Sequence, residues 1–452
     1  MSKRTLFKNG MVITLDNTIG DFKRADVLIE GNKIVAIQPD LSIDDCEIID
    51  AENQIVLPGF VDTHRHTWES LIRNIGADWS LNTYLQNIYF GNIGSRLRPL
   101  DGYIGNWIGS LEALEAGVTT ILDWSMIESP EHADEWIRGL QEAGIRAVFA
   151  YGISGDGEYW NRESKLRHPE DSKRVKQQYF SSTDQLLTMG LAIRGPEFSH
   201  WEAAVSDIQL ARELDIICSM HLGFGTWGSV DRSIEKLHKA GLLGPDLNFV
   251  HANTIHYDEF KMIAASGASI SVTPEVEMMM GHGYPATGLF LEQGGRPTIG
   301  VDVVTSTGGD LFAQMKFTLQ AERSRINEQL LKEGKMPEQL ALSARDVLEF
   351  ATIDGARALG LDHKIGSLTP GKEADIVMID LTHLNLFPLN DPVGAVVQCA
   401  NTHNVDSVFV AGKAIKRRGK MLDIDMNRLH QRAAESRNHL LTEAPVGYQT
   451  NK

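Results

Sequence analysis

The sequence predicts an α/β protein: a (β/α)8 TIM barrel with a small β-sandwich domain formed by both chain ends. Three observations predict it. The 452 residues are too many for one small domain and suit a large barrel with an accessory unit. From about residue 58 to 366, short apolar strands alternate with helical segments, the pattern of repeated strand–helix units. Outside that span, both ends read as short strands separated by turn residues. The expected division is residues 1–57 with 367–452 as a composite β-domain carrying a C-terminal helix, and 58–366 as the barrel.

The elements follow in order. Near the N-terminus, Thr5-Leu6-Phe7, Met11-Val12-Ile13-Thr14, Asp26-Val27-Leu28-Ile29 and Lys33-Ile34-Val35-Ala36-Ile37 read as strands. The turn pairs Asn9-Gly10 and Gly31-Asn32 separate them. Gln54-Ile55-Val56-Leu57 leads into the barrel. The barrel strands include Thr119 to Asp123, Ala147 to Ala150, Ile216 to His221, Leu247 to His251, Ser269 to Val272 and Pro297 to Asp302. Helical patterns such as Ile208 to Leu214 lie between them. The strand texture returns at Ala374 to Ile379, Ser407 to Val410 and Lys413 to Ile415, and an amphipathic helix is expected over 426–441. A doubly wound sheet is the alternative, but no G-x-G-x-x-G follows the first strand.

Composition narrows the function. The formal net charge is −17. An acidic surface repels phosphate backbones, so no nucleic-acid partner is expected. The one basic cluster, Lys416-Arg417-Arg418, reads as a solvated turn. No run approaches the ~18 apolar residues of a membrane span, and no secretory apolar region follows Met1-Ser2-Lys3-Arg4. Cys46, Cys218 and Cys399 are odd in number and far apart, which argues against a disulfide framework and for a cytoplasmic location.

The most informative stretch is Pro58-Gly59-Phe60-Val61-Asp62-Thr63-His64-Arg65-His66. Residues i and i+2 of a strand point to one face, so His64 and His66 can grip one ion from one side. Other expected strands also end in metal-competent residues: His221, His251 and Asp302. Barrel active sites gather at that end of the strands. Imidazoles with one carboxylate suit Zn²⁺, and also Fe²⁺ or Co²⁺.

In their order, several motifs make the resemblance specific. They are Leu57-Pro58-Gly59-Phe60-Val61-Asp62-Thr63-His64-Arg65-His66, Leu71-Ile72-Arg73, Ala116-Gly117-Val118-Thr119-Thr120, Gly300-Val301-Asp302 and the run Gly366 to Val377. Val408-Phe409-Val410-Ala411-Gly412-Lys413 closes the series. Over nearly its whole length the chain resembles the amidohydrolase superfamily. The likeness is to the mononuclear branch that holds cytosine, guanine and adenosyl-type deaminases and s-triazine hydrolases. The resemblance implies His64, His66, His221 and Asp302 as ligands of one divalent ion, zinc first. It implies His251 as the residue that contacts the metal-bound water or the substrate. Such an ion brings its water towards neutral pKa, Asp302 accepts the proton, and hydroxide attacks an electrophilic carbon. Relatives are often dimers or tetramers, so a homo-oligomer is expected.

One departure matters. Deaminases of this branch continue the fifth strand as His-x-x-Glu, and that Glu shuttles the proton. Here His221-Leu222-Gly223-Phe224 puts phenylalanine at that position. Also, His251 and His256 lie two residues further apart than the usual His-x-x-His. Candidates for the proton-carrying group are His256, Glu197, Glu275 and Glu277. Alternatively, His251 and Asp302 suffice, and Phe224 adds an apolar wall. Trp68, Phe224, His256, Glu275 and His282 are the expected substrate contacts. The segment Trp79 to Leu85 is expected over the entrance, and Met278-Met279-Met280 along an apolar lining. Arg73 is expected to bridge loops.

The resulting expectation is a metal-dependent hydrolase of an amide, carbamate or urea-like C–N bond in a small, partly apolar molecule. The alternative is a deaminase of a nitrogen heterocycle with a non-standard proton shuttle. A non-catalytic relative would lack ligands, and this chain keeps all four. A zinc deaminase of nucleic acid would need H-x-E with P-C-x-x-C, and neither occurs.

Overall fold

The computed structural model describes residues 3–89, 92–155 and 157–442. Residues 1–2 and 443–452, which the sequence places at the ends of the composite domain, lie outside them.

Five strands precede the barrel: β1 (Arg4–Val12), β2 (Phe22–Glu30), β3 (Lys33–Gln38), β4 (Glu47–Asp50) and β5 (Gln54–Pro58). The barrel strands are β6 (Phe60–Arg65), β7 (Val118–Trp124), β8 (Arg146–Tyr151), β9 (Leu187–Ile193), β10 (Ile217–Leu222), β11 (Leu247–His251), β12 (Ser269–Val272) and β13 (Thr298–Ile299). Four more follow: β14 (Ile376–Asp380), β15 (Val405–Val410), β16 (Lys413–Arg417) and β17 (Lys420–Met421). The chain then ends its described part in the helix Met426–Leu441.

The barrel is one eight-stranded parallel sheet in sequential order from β6 to β13. Its strands are almost wholly buried because helices cover the outside and side chains fill the inside. β9 is the strand whose sequence signal is weakest, since Gly190 interrupts its apolar run. A polar layer crosses the barrel interior. Ser219 Oγ donates to Asn248 Oδ1 at 2.9 Å, Asn248 Nδ2 to Ser271 Oγ at 2.9 Å, and Ser271 Oγ to Thr63 Oγ1 at 2.8 Å. Such a layer satisfies its own buried groups and fixes the register of the strands that share it.

Closure occurs between β6 and the chain just after β13. The Asp302 amide donates to the His64 carbonyl at 2.9 Å, and the His66 amide donates to the Asp302 carbonyl at 2.8 Å. Asp62 reinforces the seam: its Oδ1 accepts from the amides of His64 (3.2 Å) and Val301 (3.1 Å). The approach is close enough to require glycine. A Cβ at Gly300 would stand 2.7 Å from the His64 carbonyl oxygen and 2.9 Å from the His64 Cβ.

The second sheet has nine strands, ordered β17-β16-β15-β14-β5-β1-β2-β3 with β4 beside β1. The expected sandwich is thus one continuous mixed sheet that folds over on itself. Phe7 of β1 meets Phe409 of β15 edge-on at 4.9 Å although two strands separate them in the sheet. The β3 edge bonds back to the chain entering β14: Ile34 N to Lys372 O at 2.9 Å, and Ala374 N to Asn32 O at 2.8 Å. One expectation is corrected here. Asn9-Gly10 is not a hairpin turn between two strands but a bulge inside β1. Asn9 adopts φ 66°, and its amide donates to Asp26 Oδ1 at 2.8 Å.

The Glu373-Ala374-Asp375 run ties this sheet to the barrel. Arg146, at the start of β8, is buried and donates to Asp375 (3.0 Å twice) and to Glu373 Oε2 (2.6 Å). No helix among the described residues is long and apolar enough to cross a membrane.

The seam predicts a local sensitivity. Gly300→Ala forces β6 and the chain after β13 apart and should cost about 1–3 kcal/mol, the range for overpacking a close-packed interior. Urea unfolding of the purified variant checks this; wild-type stability would contradict the seam as described.

Candidate active site

His64 is the fifth residue of β6 and His66 stands one residue beyond its end. His221 is the fifth residue of β10, across the barrel mouth. Asp302 follows β13 in the left-handed region, φ 67°. That conformation, uncommon for a residue with a Cβ, turns its carboxylate inward. The donor atoms then converge. His64 Nε2 lies 3.1 Å from Asp302 Oδ1 and 3.1 Å from His221 Nε2. His66 Nε2 lies 3.3 Å from His221 Nε2 and 3.4 Å from Asp302 Oδ1.

These spacings test whether the group fits a metal. Four donors about 2.0–2.1 Å from a tetrahedral Zn²⁺ stand about 3.3 Å from one another. All four ligand atoms here lie within 4.8 Å of each other, and their closest contacts are near that spacing. Two unprotonated imidazole nitrogens facing each other would otherwise repel. The donor set is also in the right state. Burial pushes His64 and His66 down to about 3, and it pushes His221, helped by the neighbouring histidines, well below the usual range. Neutral imidazoles keep their lone pairs available.

His251 ends β11 at φ 76° and is buried beside this group. Its Nδ1 lies 3.2 Å from Glu277 Oε1 and 3.1 Å from Thr273 Oγ1. Because Glu277 Oε1 already accepts from the Thr273 amide at 2.9 Å, it acts as an acceptor, and His251 Nδ1 carries the hydrogen. His251 Nε2 is left with its lone pair, 3.8 Å from Asp302 Oδ2. That gap is too long for a direct bond and suits one bridging oxygen. Burial raises Glu277 to about 8 and lowers His251 to about 4. His282 completes a second group with His251 and Asp302, its donors again within 4.8 Å.

A cavity opens over these residues. Leu81, Tyr84, Leu85, Tyr89, Trp160, Phe198 and Phe224 form its apolar wall, and His66, His221, His251, His282 and Asp302 its floor and side. Asp302 is the one charged side chain among the described lining residues. Phe224 stands between the rings: 5.2 Å from His251, 5.5 Å from His282 and 5.8 Å from Phe198.

The structure thus brings together His64, His66, His221, His251, His282, Asp302 and Phe224. Other expected contacts do not reach the cavity. Trp68 turns away into the core against Trp136, with ring centres 6.3 Å apart, because the turn Thr67–Ile72 packs on the helix Pro99–Glu115. His256 is exposed; its two-residue displacement carries it out of the mouth, where it begins the helix Tyr257–Ser266 and bonds the Ser229 carbonyl at 2.9 Å. Glu275 faces the opposite way and accepts from Gln314 Nε2 at 2.8 Å. Glu197 lies behind the fifth strand, accepting the Gly223 amide at 3.0 Å and 3.2 Å. Met278 and Met279 are exposed on the outer face of a short helix. Arg73 pairs with Glu112, which also binds Arg65 at 2.7 Å, so it braces the first barrel loop.

Of the segment expected over the entrance, Leu81, Tyr84 and Leu85 line the cavity, whereas Tyr89, Trp160 and Phe198 were missed by sequence reasoning. The helical spacing in Ser80 to Tyr89 was a partial signal: Leu81, Tyr84, Leu85 and Ile88 fall on one helix face. Trp160 and Phe198 come from loops and carry no periodic signal.

Residues 55–415 match the model of the amidohydrolase family. The chain is 28% identical over 411 residues to the 5'-deoxyadenosine deaminase of Methanothermobacter thermautotrophicus, covering 89% of this chain and 91% of that one. It is 27% identical over 415 residues to the 5-methylthioadenosine/S-adenosylhomocysteine deaminase of Pyrococcus abyssi, covering 90% and 93%. Among solved structures, a zinc-bound adenosine deaminase from Xanthomonas campestris superimposes with TM-score 0.85 at 22% identity, over 97% of this chain and 98% of that chain. A zinc complex of atrazine chlorohydrolase from Arthrobacter aurescens gives TM-score 0.80 at 22% identity, over 96% and 100%.

The convergent donors predict that metal-free protein takes up one equivalent of Zn²⁺ per chain. His64→Ala and Asp302→Ala should each weaken uptake by more than the ~100-fold upper range of outer-shell changes. Calorimetric titration reads both, and unchanged affinity in either variant would contradict the assignment.

Proposed function

The chain belongs to the amidohydrolase family, and on that premise we propose that it hydrolyses a C–N bond of a small, neutral, partly aromatic molecule. The bond is of amide, carbamate or urea type. The observation that carries this reading is Phe224, an apolar ring beside His251 and His282 where the deaminases of the branch place a proton-carrying glutamate. The cavity supports it. No lysine or arginine is among the described lining residues, so an anionic substrate would have no counter-charge there. The wall of Tyr89, Trp160, Phe198 and Phe224 suits an aryl or alkyl group by burial and edge-to-face contact.

His64, His66, His221 and Asp302 would hold one divalent cation, zinc first. When bound, that ion supplies a water of near-neutral pKa and polarises the substrate carbonyl. The chain's own residues do the rest. Asp302 turns one oxygen to the histidines and the other to His251, so a proton released at that point has two acceptors within reach. Glu277 and Thr273 hold His251 with its Nε2 lone pair inward. His251 takes the proton there and returns it to the leaving nitrogen. The aromatic wall excludes bulk water from the attacked bond.

A second reading has its own support. The relatives matched over about nine-tenths of their length are deaminases of adenosine-type compounds, and the structures that superimpose on this chain include an atrazine chlorohydrolase. Deamination of a nitrogen heterocycle would then use His251 and His282 in place of the glutamate.

Product identity separates the two. The zinc-loaded protein, offered neutral aryl ureas, carbamates and anilides beside amino-purines and amino-triazines, should release an organic amine and not ammonia. Phe224→Glu should bind zinc as wild type does and lose at least about tenfold in kcat/KM on the preferred aryl substrate, the loss of about 1.4 kcal/mol or more of apolar contact. Ammonia from an amino-heterocycle as the sole product would overturn the first reading in favour of the second. Normal turnover by metal-free protein would overturn both.

A further inference from the structure

Two tyrosines and a buried glutamate connect the cavity wall to one side of the donor group. Glu69 lies three residues after His66, in the turn Thr67–Ile72, and is fully buried. Tyr84 comes from the helix Leu81–Ile88, whose first turn Ser80 caps by accepting the Thr83 amide at 3.3 Å. Tyr89 follows that helix directly. Tyr84 Oη donates to Glu69 Oε1 at 2.6 Å. The Tyr84 and Tyr89 rings meet edge to face, their centres 5.9 Å apart. Tyr89 Oη lies 3.3 Å from His66 Nδ1.

The direction of these bonds follows from simple counting. His66 turns Nε2 to His221 and Asp302. A neutral imidazole has one N–H, so a His66 that ligates through Nε2 carries its hydrogen on Nδ1. That N–H donates to Tyr89, and Tyr84, packed against the Tyr89 ring, donates to the Glu69 carboxyl. With His66 in the other tautomer, Nε2 would carry the hydrogen and could not ligate.

We propose that Glu69, Tyr84 and Tyr89 are positioning residues forming a relay, two hydrogen bonds joined by the contact of the two tyrosine rings, that fixes the metal-binding tautomer of His66 and couples docking of the helix Leu81–Ile88 over the cavity to metal loading. The proposal rests on the reading of His66 as a ligand. Because Tyr84 and Tyr89 also line the cavity, the surface that receives substrate and the surface that orients a ligand are the same two side chains. Linkage makes the coupling reciprocal: metal favours the docked helix, and the docked helix favours metal. Outer-shell partners of this kind are worth about 10–100-fold in metal affinity.

The test uses the full-length protein stripped of metal and titrated with Zn²⁺ against a chromophoric chelator. Tyr89→Phe and Tyr84→Phe each remove a single oxygen and should weaken zinc binding about 10–100-fold. Glu69→Leu should do the same, whereas Glu69→Gln, whose carbonyl still accepts from Tyr84, should stay near wild type. Two readouts exclude a merely structural effect. The visible bands of the Co²⁺-loaded protein should shift in Tyr89→Phe. Amide exchange over residues 81–89 should slow on metal loading in wild type and not in that variant. Wild-type affinity and spectrum in both Tyr→Phe variants would overturn the relay while leaving the ligand reading intact. A wild-type protein that takes up no zinc would overturn the ligand reading, and the relay with it.

Discussion

The seam that closes the barrel is the interaction on which the site depends. Two backbone hydrogen bonds join Asp302 to His64 and His66, residues far apart in the chain. The same three residues supply three of the four converging donors. Closing the barrel and assembling most of the donor set are therefore one event. Asp62 bonds both sides of the seam, burial holding it at about 6 against the opposing charge of Arg65. Gly300 removes the Cβ that would hold the strands apart. The fourth donor, His221, comes from β10 on the other side of the mouth, so an ion bound by all four would tie the seam to the far wall. A ligand that binds only the folded chain stabilises it.

Burial sets the chemistry of the mouth. Five imidazoles crowd around one carboxylate, and all five are pushed towards the neutral form by desolvation. Neutral rings offer lone pairs and do not repel one another, which lets them pack 4.6–5.5 Å apart between centres. Among the described lining residues Asp302 carries the one formal charge, and it faces two ways, to the donor group and to His251. Phe224 then sets the character of the remaining space. In a cavity with a single carboxylate and an aromatic wall, shape and apolar contact select the substrate more than ion pairing does.

Much of this was legible in the sequence because it rests on short-range rules. His-x-His at the end of an apolar run places two rings on one strand face whatever the rest of the fold. Strand ends at His221, His251 and Asp302 are visible as polar residues closing apolar runs. The helix Met426–Leu441 was legible from its periodicity. What the sequence hid are contacts that depend on loops and on the path of the backbone. Trp68 is adjacent to the donor pair in sequence yet turns into the core, because a tight turn rotates it past the mouth. His256 sits outside because two extra residues follow His251. Glu69, Tyr84 and Tyr89 meet only after the chain has wound through a loop and a helix. β9 was obscured by Gly190, and the β1 bulge resembled a hairpin turn because both use Asn-Gly with positive φ.

The central claim is that a barrel seam and one opposite strand together build a three-nitrogen, one-carboxylate site for a single ion. X-ray absorption at the zinc edge of the stoichiometrically loaded protein tests it most directly. The account predicts three imidazole nitrogens at about 2.0–2.1 Å with one or two oxygens, and no sulfur. Fewer than three imidazoles, or a sulfur at about 2.3 Å, would contradict it.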